Sequence, residues 1–261
     1  MKAQAKVRSR VWLAVETIAL LLAAVLLILM GRKLVSRVRV AREEAAARQT
    51  LETFLGEETR SEHLAQADER SGEFEKLAEE NPDFRGWILF GEDRSLYVCQ
   101  GRDNTYYMNH RFDGSEDPAG MIFMDAACTE ESDNLLIYGH NMKDGSRFGT
   151  LNRYAKPEFL KEHPLIGFQG DDGVRYYRPA SVFYASMDPA KAEYFDFEQP
   201  EFGSNSDFRA YVDAARARSL YDTGVDVKDG EKLLTLVTCS SEVDSGRMVV
   251  LCRRLRSREE P

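Results

Sequence analysis

The longest hydrophobic run of the chain lies close to its N-terminus. Val11–Met30 is a run of 20 residues whose only charged member is Glu16, and its second half is apolar on every face of a helix. Twenty helical residues span about 30 Å, the thickness of the hydrocarbon core of a bilayer. The pattern therefore predicts an uncleaved transmembrane signal anchor at residues 11–30, preceded by a short N-terminal segment, 1–10.

Two other interpretations of this run remain open from the pattern alone. A buried helix of a globular domain is disfavoured because basic residues flank both ends of the run. A cleaved signal peptide is disfavoured because the run is long and no small-x-small cleavage site follows it closely. Basic residues are almost equally numerous before and after the run, so the positive-inside rule does not by itself orient the span.

The region that follows the predicted span has the composition of a helix. It is rich in Ala, Glu, Arg and Leu and contains no proline before Pro82, so we predict a helical juxtamembrane stalk over 31–70. Ser71 has a side chain suited to capping a further short helix that runs through Glu80. Asn81-Pro82 ends that helix, because proline disfavours a helical conformation in the residue before it.

After Pro82 the hydrophobic pattern changes to that of β-strands. Short apolar, aromatic and β-branched runs alternate with turns that contain Gly, Asp and Asn. The predicted strands are Gly86–Phe90, Ser95–Val98, Tyr106–Met108, Met121–Met124, Leu135–Tyr138, Val174–Ala185, Leu233–Thr238 and Met248–Cys252. Ser206–Leu220 differs, since its apolar residues recur at helical spacing. Short strands with few long helices predict a mainly β fold, either a barrel or a sandwich.

Composition and charge exclude several classes of protein. The 261 residues are 43% hydrophobic, enough for a core, which excludes wholesale disorder. The net charge is −9, and residues 1–42 contain nine Lys or Arg and one acid, which leaves 26 basic against 43 acidic residues in the rest. A body this acidic is repelled by phosphates, so we expect no nucleic-acid partner.

Cysteine and histidine are too sparse for a structural metal site or a disulfide scaffold. The chain has four Cys and four His, with no Cys-x-x-Cys pair, so we expect neither a metal nor a cofactor. Cys99 and Cys128 could form a disulfide outside the cell or remain as free thiols in the core. Cys252, within a strand, is interpreted as structural.

Reactive side chains lie at the ends of three predicted strands. His140 follows the strand that ends at Tyr138. Cys239 follows the strand that ends at Thr238, and Arg247 begins the last strand. If the last two strands form a β-hairpin, Cys239 and Arg247 are neighbours in space. Strand ends at a barrel rim hold side chains rigidly while leaving them open to a substrate.

These residue types have the chemistry of acyl transfer. A thiolate attacks a carbonyl, a histidine exchanges protons with the nucleophile and the leaving amine, and a cation stabilises the oxyanion. Arg247 does not deprotonate, so it suits the electrostatic role. Taken singly, the residues also have plainer interpretations, because Cys239 could be a small buried hydrophobic residue and His140 a loop residue.

Taken together and in order, these segments resemble the sortases, and class B sortases in particular. The motifs that carry the resemblance are Asn81–Ile88, Tyr106–Met108, Gly120–Asp125, Tyr138–Gly145, Phe148-Gly149, Leu234–Cys239 and Arg247–Val250. Each is weakly specific alone, whereas the ordered set, spread over residues 72–254, is highly specific. One departure is Val237, which stands where many relatives have a small polar residue.

The resemblance implies a fold and an arrangement of domains. It implies an eight-stranded sortase-type β-barrel with N-terminal helices and a helix in the long loop before the cysteine strand, the place occupied by Ser206–Leu220. The catalytic domain would extend over 71–256, followed by a C-terminal tail, 257–261. It also implies a single-pass protein of the cell membrane of a Gram-positive-type organism, with its N-terminus in the cytoplasm and its catalytic domain outside.

The resemblance also implies an activity. Such enzymes cleave a C-terminal sorting signal of secreted proteins, hold an acyl-thioester, and transfer it to an amine of the peptidoglycan cross-bridge or to a pilin lysine. By position, Cys239 would be the nucleophile and His140 the general acid and base, while Arg247 would orient the substrate and stabilise the oxyanion. Thr238 and Tyr138 are candidate substrate-binding residues of the groove.

Two other functions compete with a transpeptidase. A secreted cysteine endopeptidase that hydrolyses its acyl-enzyme would need the same Cys239 and His140, and it is distinguished by its failure to divert product to an added amine. A membrane-anchored adhesin or binding module would need neither residue, and alkylation of Cys239 would then leave its function intact.

Overall fold

Eight strands and three helices are formed by the residues that the computed structural model describes, 72–90 and 95–256, all within one compact unit, Glu62–Glu260. The strands are β1 Phe84–Phe90, β2 Ser95–Cys99, β3 Ile122–Met124, β4 Asn134–Tyr138, β5 Ile166–Gly170, β6 Gly173–Ser186, β7 Leu233–Cys239 and β8 Gly246–Arg254. The helices are α1, residues 72–80, α2 Pro157–Glu162 and α3 Asn205–Arg218.

The strands close into a barrel in the order β1-β2-β3-β4-β7-β8-β6-β5, which confirms the predicted fold class. The β2–β3 and β4–β7 pairs are parallel, and the other pairs are antiparallel. Closure leaves no exposed sheet edge among these strands. The parallel β4–β7 pair brings the ends of both strands to the same rim of the barrel, and this rim carries His140 and Cys239.

The barrel interior is filled by alternate side chains from most of the strands. Its fully buried members include Ile88, Val98, Leu136, Leu234 and Val250. Burial of each aliphatic side chain of this size stabilises the fold by about 1.5–3 kcal/mol relative to exposure. The rim residues of β4 and β7 therefore stand on a densely packed and rigid base.

Helix α3 covers a second apolar cluster on the outside of the barrel. Its buried residues, Phe208, Tyr211, Val212 and Ala215, recur at helical spacing and pack against residues of β6, β7 and β8. The Ser204 side chain accepts a hydrogen bond from the Asp207 N–H at the start of the helix. The helix predicted at Ser206–Leu220 is thus confirmed, and it lies in the long connection between β6 and β7.

One predicted strand is wrong and one strand was missed. Tyr106–Met108 is a 3-10 turn, because the Asp103 carboxylate accepts hydrogen bonds from the N–H groups of Thr105 and Tyr106 and winds the chain at this point. Strand β5 was missed because only two of its five residues are large and apolar. Its Gly167 lies so close to β1 that an added Cβ would be 3.1 Å from Leu89. The other predicted strands agree with the structure to within two residues at each end.

Several predictions concern residues outside the described part of the chain. The N-terminal segment 1–10, the span at 11–30, the stalk at 31–70 and the tail at 257–261 all lie there, as does the predicted cap residue Ser71. Across 72–90 and 95–256, no helix has the length and apolar character needed to cross a membrane.

Candidate active site

The hairpin of β7 and β8 places Cys239 directly opposite Arg247. The two residues are register partners at the open end of the antiparallel pair, as the hairpin hypothesis predicts. Cys239 is exposed, whereas Cys99, Cys128 and Cys252 are buried, and all four thiols are free. A solvent-accessible thiol beside a guanidinium is the arrangement expected of a nucleophilic cysteine.

The parallel β4–β7 pair brings the loop that follows β4 against the end of β7. Tyr138 is in register with Val237, and the Gly139 N–H donates to the Val237 carbonyl at 3.1 Å. Gly139 has no room for a side chain, since an added Cβ would be 2.9 Å from the Phe148 ring. The next residue along the loop is His140, which is thereby held beside Cys239.

Two side-chain hydrogen bonds fasten this loop to the cysteine strand. The Thr238 hydroxyl donates to the Gly139 carbonyl at 2.6 Å, and the Asn141 amide donates to the Cys239 carbonyl at 3.0 Å. Thr238 is only 2% exposed, so its hydroxyl connects β7 to the histidine loop. Its predicted role in substrate binding stays a prediction, and Asn141 is a positioning residue that the sequence reasoning did not single out.

A backbone carbonyl orients the His140 ring. Nε2 of His140 lies 2.7 Å from the carbonyl oxygen of Met108, in the 3-10 turn Tyr106–Met108. A carbonyl can only accept, so Nε2 carries a proton and Nδ1 is left to exchange a proton with Cys239. The turn itself is anchored by Tyr107, whose buried ring places its hydroxyl 3.0 Å from Asp83 and 3.1 Å from Asn81.

The electrostatics of the site favour a thiolate–imidazolium pair. A hydrogen bond with His140 is the largest cause that lowers the pKa of the Cys239 thiol, and the nearby charge of Arg247 acts in the same direction against partial burial. The same hydrogen bond is the main reason that the pKa of His140 is raised, and the Met108 carbonyl adds to it. Both shifts stabilise the charged form of each group.

Burial shifts the pKa values of the other three thiols upwards, opposite to the shift of Cys239. Desolvation raises the pKa of Cys99 to about 12 and that of Cys128 to about 11, and it also raises the pKa of Cys252. Buried thiols of this kind are inert at neutral pH. Cys239 is therefore distinguished from them by exposure, by its partners and by the direction of its pKa shift.

Aromatic and acidic side chains surround Tyr138 at the end of β4, and a further carboxylate lies near Arg247. The Tyr138 hydroxyl donates to Asp125 at 2.7 Å, and its ring packs against Phe123 and Phe197 with centroids 5.3 and 6.3 Å apart. The Glu198 carboxylate interacts electrostatically with Arg247, while burial raises the pKa of Glu198 overall. Tyr138 thus has a fixed ring beside the site, and its predicted contact with substrate stays a prediction.

Sequence reasoning missed four contributors to this geometry: Asn141, the Met108 carbonyl, Asp125 and Glu198. Asn141 had a signal, because it directly follows His140 and its amide can reach the neighbouring strand. Asp125 and Glu198 are two of 44 acidic residues in the chain, so their identity alone marks neither of them. A backbone carbonyl has no side-chain signal.

Within residues 72–90 and 95–256, acidic side chains converge at one place away from this rim. Carboxylate oxygens of Glu130, Asp171 and Asp172 lie within 4.8 Å of one another and are exposed. Arg175 compensates their charge, since its guanidinium is 2.8 Å from Asp172 and 4.0 Å from Glu130. We interpret these carboxylates as exposed, solvated groups of two loops whose negative charge is balanced by Arg175.

Comparisons with known proteins place the chain in a family. No protein-family model matches it. It is 34% identical to sortase B of Listeria monocytogenes over 185 residues, which are 68% of this chain and 72% of that protein. It is 28% identical to sortase B of Staphylococcus aureus over 245 residues, which are 92% of this chain and 96% of that one.

The fold gives the same result. A solved structure of a Staphylococcus aureus sortase B–substrate complex superimposes with a TM-score of 0.65 at 24% identity, covering 84% of this chain and 99% of that one. The described barrel is therefore of the sortase type. Together with the sequence identity to the Listeria monocytogenes protein, this shows that the chain belongs to the sortase B family of cysteine transpeptidases.

Proposed function

We propose that the protein cleaves a C-terminal sorting signal of secreted proteins and transfers them to an amine through an acyl-thioester on Cys239. The observation that carries the proposal is the exposed Cys239 thiol, held between the His140 ring and the Arg247 guanidinium at one rim of the barrel. A sortase B–substrate complex of the Staphylococcus aureus relative supports a substrate site on this barrel.

The first half of the reaction forms the thioester. The Cys239 thiolate adds to the scissile carbonyl, and the oxyanion that develops is stabilised by Arg247. When the C–N bond breaks, the His140 imidazolium gives its proton to the leaving amine. The raised pKa of His140 supports this step, because the ring remains protonated to a higher pH than an isolated imidazole.

The second half transfers the acyl group. An acceptor amine adds to the thioester carbonyl, neutral His140 takes the proton from the attacking nitrogen, and the C–S bond breaks to restore the Cys239 thiolate. The resulting amide bond replaces the peptide bond that was cleaved, so no oxidant or cofactor takes part. The acceptor is an amine of the peptidoglycan cross-bridge or, in a pilus-building role, a pilin lysine.

The remaining assignments concern the groove and the membrane. Tyr138 and Thr238 are assigned to the substrate groove because they flank Cys239 on β4 and β7. Residues 11–30 are assigned as the signal anchor, with the catalytic domain outside the cell. The 20-residue apolar run with basic residues on both flanks supports this assignment.

Acyl-enzyme formation tests the nucleophile. Mass spectrometry of the protein with a panel of sorting-signal peptides should show a covalent adduct on Cys239. Cys239→Ala should abolish both the adduct and peptide cleavage, while Cys99→Ala, Cys128→Ala and Cys252→Ala should retain measurable turnover. Full activity in Cys239→Ala would falsify the mechanism.

Hydrolysis is the alternative outcome of the same chemistry. If water rather than an amine resolves the thioester, the protein is a cysteine endopeptidase. Adding amines to the cleavage reaction separates the two, since a transpeptidase converts the acid product into an amide, whereas an endopeptidase yields only the acid.

A further inference from the structure

A cavity of about 410 Å³ lies between β2, β3 and the loop that carries His140. Its lining residues are Leu96, Tyr97, Arg111, Phe112, Asp113, Met121, Ile122 and Arg147. None of these comes from β7, β8 or the long connection before β7. The cavity therefore has an apolar floor with two guanidinium groups, and none of its lining comes from the strands that carry Cys239 and Arg247.

Arg147 is held towards this cavity in an unusual way. Its backbone has φ = 50°, a left-handed conformation that costs energy for a residue with a side chain. Its Nε atom is buried without a hydrogen-bond partner. Within the described part of the chain, the guanidinium forms neither a hydrogen bond nor an ion pair. A buried donor in this state is destabilising, and an acceptor bound beside it would remove that penalty.

Comparison with another arginine shows what is different about Arg147. Arg175 also has an unpartnered buried Nε, but its terminal nitrogens contact the Asp172 carboxylate and the Glu130 carbonyl. Carboxylates near Arg147 are already engaged: Asp117 accepts from the Arg111 Nε at 2.6 Å, and Asp144 accepts from Ser146. The Arg147 guanidinium is thus left available for an anion.

The charge of the cavity is suited to a carboxylate. Arg111 and Arg147 are the cations of its lining, and Asp113 is the anion. Asp113 accepts hydrogen bonds from the N–H and hydroxyl of Ser115 at 3.0 and 2.6 Å, which satisfy it within its own turn. A guanidinium binds a carboxylate through paired hydrogen bonds, and an apolar floor accommodates the carbon skeleton that carries it.

The position of Arg147 connects the cavity to the second half of the reaction. The Phe148 N–H donates to the His140 carbonyl at 3.0 Å, so Arg147 and His140 belong to one tightly folded loop. An attacking amine has to reach His140 to lose its proton. The charge of Arg147 acts on the His140 ring, so a ligand bound at Arg147 lies beside the residue that takes this proton.

We infer that this cavity binds a carboxylate of the acceptor, a peptide that carries both the attacking amine and a carboxylate next to an apolar side chain, with Arg147 as the anion-binding residue. This inference rests on the proposed function for the identity of the acceptor. The binding itself does not depend on turnover, so it is measured separately.

Binding is measured on the Cys239→Ala protein, where no reaction intervenes. The probes are glycyl-glycyl-leucine, which has a free amine and a free carboxylate, and its C-terminal amide. The free acid should bind about tenfold more tightly than the amide, the effect of one charge-assisted hydrogen bond. Adding Arg147→Gln should remove that preference, and Arg147→Lys should retain part of it because the charge is kept.

Arg216→Gln is the matched control, because it removes one positive charge from an exposed position of α3. It should leave the tenfold preference unchanged. The inference is overturned if acid and amide bind equally, if Arg147→Gln keeps the preference, or if Arg216→Gln abolishes it as well. A carboxylate on the sorting peptide that depends on Arg147, in place of one on the acceptor, would also overturn it.

The same pair of probes then serves as acceptors for the active enzyme. The ratio of transfer to the acid over transfer to the amide is measured within each variant, so a general loss of activity cancels. It should fall to about one in Arg147→Gln. If the binding preference is found but no variant transfers to either probe, the proposed transpeptidase function fails while the anion site stands.

Discussion

A single backbone carbonyl decides which nitrogen of His140 takes part in chemistry. Because Nε2 donates to Met108, the proton exchanged with Cys239 is carried by Nδ1. The pKa of Cys239 is lowered and that of His140 is raised, so the thiol ionises at lower pH and the imidazolium persists to higher pH than usual. The two groups titrate as a coupled pair, and the pH range in which the thiolate and the imidazolium exist together is widened at both ends.

The pH dependence of kcat/KM should reflect this widening. It should rise with pH as the Cys239 thiol ionises, with a midpoint below the usual value of about 8.5, and fall as His140 loses its proton, with a midpoint above about 6.5. Alkylation rates measured against pH check the rising limb directly. In His140→Ala the alkylation midpoint should move up, and an unchanged midpoint would show that His140 does not control the thiol.

Arg247 should be more important for the shape of its side chain than for its charge alone. Arg247→Lys keeps the charge but loses the planar fork, so it should be impaired, and Arg247→Ala more so. Loss of an oxyanion donor lowers the rate by about 10²–10³-fold. Steady-state kcat/KM with a cleavable peptide measures the effect. Wild-type turnover in Arg247→Ala would reassign Arg247 as a surface residue of the hairpin.

How much of the site follows from sequence differs from residue to residue. Cys239, His140 and Arg247 are side chains at strand ends, so the alternation pattern and the resemblance to sortases could both point to them. Met108 contributes through its carbonyl, which any residue has, and only the path of the 3-10 turn brings it to His140. This contact could not be predicted from residue types.

At the scale of whole elements, the hydrophobic pattern was a good guide where an element buries one face. Helix α3 could be predicted because the residues that it buries against β6–β8 recur at helical spacing in the sequence. Strand β5 was missed because it contains Gly167, which interrupts the apolar run. Glycine is required at this position because β5 passes very close to Leu89 of β1. The strand predicted at Tyr106–Met108 was wrong. Aromatic residues are common in strands, but here the side chain of Asp103 accepts a backbone hydrogen bond and fixes a turn.

The packing of α3 should be a substantial part of the stability of the barrel. Phe208 is 4% exposed and lies in the cluster between α3 and β6–β8, with its ring 5.2 Å from that of Phe202. Phe208→Ala should lower the free energy of unfolding by about 3–5 kcal/mol, through lost burial and the cavity left behind. Urea denaturation measures the change.

An exposed residue of the same helix is the control for this measurement. Arg216→Gln should not shift the denaturation midpoint measurably, because its side chain lies on the solvent side of α3. If Phe208→Ala were as stable as Arg216→Gln, α3 would be a loosely attached cover and not part of the core.

On the scale of the whole molecule, the barrel and α1 form a unit that contains the candidate site. The Phe74 ring of α1 packs against Phe84 and Trp87, with centroids 5.1 and 6.0 Å apart. A version of the protein that begins at Ser71 should therefore keep this contact, fold, and cleave a sorting peptide slowly. Circular dichroism and a cleavage assay test both statements, and an unfolded product would mean that residues 1–70 belong to the core.

Membrane anchoring should matter in cells more than in the test tube. The same truncated protein, secreted through a cleavable signal peptide, should attach its substrate proteins to the cell surface poorly. Anchoring confines enzyme, substrate and acceptor to one surface and so raises their effective concentrations. Surface display is compared at equal enzyme abundance. Wild-type display by the unanchored form would contradict the proposed role of residues 11–30.

The parallel pairing of β4 with β7 also determines when the thiol becomes reactive during folding. Asn141 and Cys239, which hydrogen-bond across this pair, are 98 residues apart in the chain. Contacts of such large sequence separation are slow to form, because the loop between them has to be closed first. Before they form, Cys239 is an ordinary thiol and a weak nucleophile at neutral pH. Under the proposed topology, an exported chain therefore becomes reactive only after its barrel has closed, on the side of the membrane where its substrates are found.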